Sequence, residues 1–310
     1  MPSLIEPTQP IAGFETNRIA LRDGITTRVL DTGTPQGADP SAPPVVLVHG
    51  LAASIEIWRD ILPTLAASYR VVAFDLPGFG HSDKPDVDYR ALSFFVPMFH
   101  AFLDAAGIDK GHMVGSSLGA SLLIRHGSRH PERYASAVCA NPGGFGTHIH
   151  PFLRVPTIPG LGAVMSRPQR ATNAFGVRIA VHKKAKRTRA LVDEVDAFSR
   201  LPGAHRAFVR TLRGIATPLK VKEMDVFERE ARQFEALEIP TRVVWGEQDR
   251  IFPVAQLETV QDYMPSARRE VLPEVGHYPQ IDAPDAFCTI LLDHLHEAEQ
   301  RLSHVRNKSR

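Results

Sequence analysis

The feature that most restricts what this 310-residue chain can fold into is the stretch Val114-Gly115-Ser116-Ser117-Leu118-Gly119-Ala120. It follows a short apolar run and leads into Ser121-Leu122-Leu123-Ile124-Arg125-His126, which reads as a helix. A strand that turns at once into a helix leaves its corner residue in strained backbone and pushes that side chain out above the sheet edge. Gly115 and Gly119 stand two positions either side of Ser117, where a Cβ would meet the neighbouring strand or helix. The pattern presents Ser117 as a nucleophile, although a Gly-rich surface turn can imitate five letters. The rest of the chain decides.

Around this corner the chain alternates. A turn at Arg22-Asp23-Gly24 separates two short extended runs, an antiparallel hairpin. A continuous apolar run at 44–48 is expected for a strand buried on both faces, 70–75 reads as another buried strand, and 134–140 and 241–246 read as further strands. Helical stripes at 55–67 and 91–106, and from the corner to about residue 130, lie between them. After 241–246 come a helix near 254–264, a strand at 269–272 and a long helix over 284–302. The alternation implies parallel crossovers and an α/β, doubly wound sheet. It stops once, between about 143 and 238, where helical patterns and scattered prolines replace strands. A segment that long is not a plain loop inside a compact domain. The expected organisation is a first core part at 1–142, a helical cap or lid at 143–238, and a second core part at 239–310.

Composition excludes several classes. The chain is 43% apolar and 23% charged, as in folded globular proteins, and its net charge of +2 argues against nucleic acid or acidic membranes as partners. Two cysteines, Cys139 and Cys288, lie in apolar segments with no metal-like spacing and read as small buried hydrophobes. No apolar stretch is long enough to span a bilayer. Residues 1–13 read as a loose arm without the pattern of a signal peptide, so a cytoplasmic location is expected.

A serine hydroxyl needs an adjacent base, and that base an orienting acid. In this kind of sheet the binding crevice lies beyond the carboxyl ends of the strands. His277 follows the last strand, and two acids, Glu247 and Asp249, follow the strand before it. Asp249 is preferred because it lies past the turn made by Gly246, a choice resting largely on the family pattern given below. The order Ser117, Asp249, His277 matches the chain order of triads on this architecture. A developing oxyanion needs preorganised donors. The Leu118 amide, at the start of a helix, is one, and the Leu51 amide is the other, since Gly50 lets its backbone approach closely. His49 and Asp75 read as structural hydrogen-bonding residues, Asp75 holding the loop at 77–80. His148-Ile149-His150 has no third ligand spaced to join it, and Lys183 to Arg189 reads as a solvated helix face.

Together, His49-Gly50, Asp75-Leu76-Pro77-Gly78-Phe79-Gly80-His81-Ser82, the serine corner, Gly246-x-x-Asp249 and Gly276-His277 resemble the α/β-hydrolase superfamily. The resemblance implies an eight-stranded, mostly parallel sheet, a cap after the sixth strand and no cofactor. Serine at the corner differs from the haloalkane dehalogenase and epoxide hydrolase branches, which place Asp there. Asn141-Pro142-Gly143-Gly144-Phe145-Gly146 is similar to the segment entering the cap of meta-cleavage-product hydrolases, which split carbon–carbon bonds. Those enzymes usually carry Asn before the nucleophile, where this chain has Ser116, and a Gly-rich loop where it has Leu51-Ala52-Ala53. The short loop after His49-Gly50 looks like that of esterases for small or medium acyl groups, and cofactor-free perhydrolases share the triad. The expected activity is hydrolysis of a small-molecule carboxylic ester. Carbon–carbon hydrolysis, perhydrolysis and a ligand receptor on the same fold are the alternatives. The sequence is silent on oligomeric state.

Overall fold

The computed structural model describes residues 10–308. Of the arm read over 1–13, residues 1–9 lie outside the described residues, while Ile11 is buried and bridges Phe14. The fold is an eight-stranded sheet: β1 (Thr16–Ala20), β2 (Thr26–Asp31), β3 (Val45–Val48), β4 (Val71–Phe74), β5 (Gly111–Ser116), β6 (Tyr134–Ala140), β7 (Thr241–Gly246) and β8 (Arg268–Leu272). The spatial order is β1-β2-β4-β3-β5-β6-β7-β8. Only β2 runs against its neighbours: it pairs antiparallel with β1 and β4, and all later pairings are parallel.

Strand periodicity divides the core. Val46 and Val48 of β3 join an apolar cluster on one face, whereas Val45 and Leu47 join a cluster on the other. A strand apolar at every position must be covered on both faces, and helices do this. They are α1 (Leu62–Ala66), α2 (Val96–Ala105), α3 (Leu118–Gly127), α4 (Pro151–Arg154), α5 (Gly162–Met165), α6 (Arg170–Ala180), α7 (Arg189–Ser199), α8 (Ala204–Ile215), α9 (Met224–Glu235), α10 (Leu257–Tyr263), α11 (Pro279–Asp282) and α12 (Pro284–Lys308). Proline near the first position of α1, α2 and α11 costs no helical hydrogen bond, because those amides have no intrahelical acceptor anyway.

Between β6 and β7 the chain holds α4 to α9. Val177, Val181 and Val192 give α6 and α7 a small apolar cluster of their own. The last helix of the segment behaves differently. Phe227, Ala231 and Phe234 of α9 belong to the core cluster of the sheet, and Glu230 bonds Arg125 of α3 at 2.6 Å. The stretch Lys183 to Arg189 is not a solvated helix face. It forms a short 3-10 turn at Lys184–Lys186, Arg187 donates to the carbonyls of Val181 and His182, and only then does α7 begin, capped by Thr188. The stripe at 55–67 likewise splits into a 3-10 turn at Ile55–Trp58 and the short α1.

Candidate active site

Ser117 sits between β5 and α3 with φ 56° and ψ −115°, left-handed backbone that a non-glycine residue holds only when its surroundings impose it. Those surroundings are close backbone. A Cβ on Gly119 would lie 2.2 Å from the Val48 carbonyl oxygen, and one on Gly115 would lie 2.6 Å from the Ala120 nitrogen. The two glycines let α3 start directly against the ends of β3 and β5. The Ser117 amide donates to the Ala140 carbonyl at 2.8 Å, tying the corner to β6.

The His277 loop follows β8, and the Asp249 loop follows β7. His277 Nδ1 is 2.8 Å from Asp249 Oδ2. An ionised carboxylate only accepts, so Nδ1 carries the proton and Nε2 is left with its lone pair. Asp249 is fixed in turn: its Oδ1 accepts the amides of Ile251 at 2.7 Å and Phe252 at 3.1 Å, and its Oδ2 accepts Asn141 Nδ2 at 2.6 Å. Glu247, the competing acid, is exposed, and its carboxylate accepts from Gln248 Nε2 at 3.0 Å. Asn141 escaped the sequence reading as a site residue. It sits at the carboxyl end of β6 with φ 46°, and its Oδ1 also takes the Gly246 amide at 3.4 Å.

Ser117 and His277 line one cavity of about 290 Å³. Among the described residues no hydrogen bond joins their side chains, and contacts of this kind tighten when substrate arrives. Leu51 and Leu118 line the same cavity. The first backbone bond of α3 runs from Ser121 to Ser117, so the Leu118 amide has no helical acceptor, and the Leu51 amide makes no backbone hydrogen bond among the described residues. A Cβ on Gly50 would come 2.9 Å from the Ser117 Cβ, so only glycine lets this loop lie against the serine.

The wall is mostly apolar, with Phe95, Leu122, Phe152, Phe227 and Phe252 among its residues. Besides His277, its basic side chains are Arg125 and Lys222, and both are engaged. Arg125 bonds Glu230, lies 3.8 Å from Glu223 and stacks over Phe227 at 5.3 Å. Burial pulls its guanidinium below the usual range, against the two glutamates. Lys222 Nζ donates to the Arg213 carbonyl at 2.6 Å.

A buried carboxylate joins the His277 loop to the inserted helices. Asp282 accepts the amides of Gly276, His182 and Lys183, each at 2.8 Å, and the His277 amide donates to the Ala180 carbonyl at 2.7 Å. A second network holds the loop after β4. Asp75 accepts the amides of His81 at 2.7 Å and Ile55 at 2.9 Å and pairs with Arg28, which also binds Glu56. Burial alone would raise the Asp75 carboxyl, but Arg28 holds it below the usual carboxylate range. His49, fully buried and held neutral by that burial, accepts the Leu76 amide at 2.8 Å and faces the Gly50 carbonyl with its other nitrogen. His150 Nδ1 accepts the Phe152 amide and caps α4.

The family model for the alpha/beta hydrolase fold matches residues 43–284. The chain belongs to the α/β-hydrolase family. Among curated relatives of this hydrolase, the 2-hydroxy-6-oxo-6-phenylhexa-2,4-dienoate hydrolase of Burkholderia cepacia is 28% identical over 256 residues, 81% of this chain and 87% of the relative. The 2-hydroxymuconate semialdehyde hydrolase of Pseudomonas sp. strain CF600 is 27% identical over 290 residues, 92% of this chain and 95% of the relative. Among solved structures, a bacterial membrane phospholipase A superposes with a TM-score of 0.73 at 22% identity, covering 93% of this chain and 88% of that one, a likeness of fold. Among the described residues no helix is long and apolar enough to cross a membrane.

Proposed function

We propose that this hydrolase cleaves carboxylic esters of small to medium apolar acyl groups through an acyl-enzyme. Ser117 attacks the ester carbonyl while His277 Nε2 takes the hydroxyl proton and then passes it to the leaving alkoxide. Asp249 keeps the imidazole in the tautomer that leaves Nε2 basic. The Leu51 and Leu118 amides receive the oxyanion, and the positive end of the α3 dipole adds to their effect. Water activated by the same histidine then releases the acid. The helices inserted between β6 and β7 act as a cap that supplies pocket wall and excludes water.

The observation that carries the ester reading is the cavity wall: Ser117 and His277 open into an apolar space whose arginine and lysine are already engaged. An uncharged acyl chain gains from that wall, whereas an anionic substrate would find Arg125 already paired with Glu230 and, among the described residues, only the Lys222 ammonium, bonded to a neutral carbonyl, to answer its charge. The names of the curated relatives favour a second reading, hydrolysis of a carbon–carbon bond in a ring-fission dienoate by the same three residues. Comparing kcat/KM for p-nitrophenyl esters from acetate to decanoate with that for a ring-fission dienoate tests the choice. The ester reading expects the higher value on an ester, with an optimum at intermediate chain length. Turnover of the dienoate alone would replace it with the carbon–carbon reading.

A further inference from the structure

At the end of α3 remote from Ser117, three histidines meet. His100 comes from α2, His126 from the last turn of α3, and His130 from the loop that follows. One ring nitrogen from each lies within 4.8 Å of the others, and His100 Nδ1 is 3.2 Å from His126 Nε2. Bonds of about 2.0–2.1 Å to one metal ion place imidazole nitrogens roughly 3.0–3.4 Å apart. One pair already has that spacing. The other two separations close by side-chain rotation, for which His100 and His130, with about a third of each side chain exposed, have room.

The buried member is set up as a ligand. The Tyr134 hydroxyl donates to the Leu123 carbonyl at 2.9 Å, so its oxygen is left to accept from His126 Nδ1 at 3.1 Å. That bond places the proton on Nδ1 and leaves the Nε2 lone pair facing the other two rings. Carboxylates stand behind the outer rings: Asp104 is 3.7 Å from His100 Nε2, and Glu132 is 3.7 Å from His130 Nδ1. Outer carboxylates of this kind orient ligating histidines and add negative charge. The neighbouring guanidiniums are paired, Arg133 with Asp104 at 2.7 Å and Arg129 with Glu230 at 2.6 Å.

We infer that His100, His126 and His130 bind one borderline divalent ion, Zn(II) or Co(II), which clamps α2 to the end of α3. Imidazole nitrogen suits such ions, and remaining coordination positions open to water. Nine residues of helix put the ion about 14 Å from Ser117, so its role is structural.

The test uses tag-free protein stripped with a chelator, titrated with Zn(II) by calorimetry and with Co(II) by visible absorption. The expected result is one equivalent bound, a Co(II) band of nitrogen coordination, and a Tm that rises with Zn(II). The double variant His100→Gln/His130→Gln should lose about 100-fold or more in affinity, on the scale by which even outer-shell changes weaken such sites. Its metal-free Tm should stay close to that of the parent. The control pair His148→Gln/His150→Gln should bind as the parent does. No saturable binding at micromolar metal, unchanged affinity in the first double variant, or loss of binding only in the control pair would overturn the site. The Co(II) spectrum of the parent protein decides the matter even if a variant fails to fold.

Discussion

His277 Nδ1 donates a hydrogen bond to Asp249 Oδ2 at 2.8 Å, and the same oxygen accepts from the Asn141 side-chain amide at 2.6 Å. One carboxylate oxygen thus orients the histidine while β6, through Asn141, orients the carboxylate. In the proposed mechanism an uncharged amide at 249 would favour the wrong imidazole tautomer. Asp249→Asn is expected to lower kcat about 10⁴-fold, the scale of such changes in serine triads. Glu247→Gln, at an exposed position, should leave kcat unchanged. Steady-state kinetics on one p-nitrophenyl ester, with circular dichroism to confirm folding, checks both.

The strain at Ser117 has a measurable side. Its φ of 56° with ψ of −115° costs about 1–3 kcal/mol in a residue with a Cβ and little in glycine. Ser117→Gly should therefore be inactive yet more stable than Ser117→Ala, by about 1 kcal/mol after the larger chain entropy of glycine is deducted. Urea unfolding midpoints of the two variants decide it. Equal midpoints would mean that the corner stores no strain.

Asp282 collects three amides at 2.8 Å from two parts of the fold, the residue before His277 and the turn after α6. Asp282→Asn keeps the size but gives up charge and one acceptor oxygen. The expected loss is about 2 kcal/mol of stability, as for a hydrogen bond to a charged group. A fall in kcat of about tenfold should accompany it, since small misplacement of a catalytic group lowers rate strongly. A stability loss with unchanged kcat would make Asp282 a structural residue only.

Buried histidines give the fold an acid limit. Burial pushes His112, bonded to Ser136, down to about 4 from its ordinary 6.5. The unfolded chain then binds more protons than the folded one between those values, so stability rises with pH there. The contribution of neutral His112 is complete above about pH 6.5 and is lost as pH falls toward 4, a loss of about 3 kcal/mol. Urea titrations from pH 7 to 4 should show this decline, and His112→Gln should flatten it.

What the sequence made legible follows from where physical chemistry leaves local marks. Strands buried on both faces are mainly apolar, so 44–48, 134–140 and 241–246 were readable as strands. The serine corner was legible because its glycines answer to backbone contacts of 2.2 and 2.6 Å. Asp249 and His277 could be placed because the topology delivers the ends of parallel strands to one edge. Polar contacts between distant segments leave no such mark. Asn141 reaches Asp249 across 108 residues and Arg28 reaches Asp75 across 47, with no periodicity to show it. The pairing of Asp282 with the turn after α6 was hidden in the same way, which is why Lys183 to Arg189 read as a helix face. His126 and His130 stand four apart in sequence, and His100 joins them through the packing of α2 on α3.

The most direct test of the central claim is covalent. Mixing the enzyme rapidly with a p-nitrophenyl ester should release a burst of nitrophenol equal to the active sites. Acid quenching within that burst should give protein heavier by one acyl group, located by peptide mass spectrometry on Ser117. Ser117→Ala should show neither burst nor adduct. Turnover that persists in Ser117→Ala, or an adduct on another residue, would contradict the assignment of Ser117 as the nucleophile.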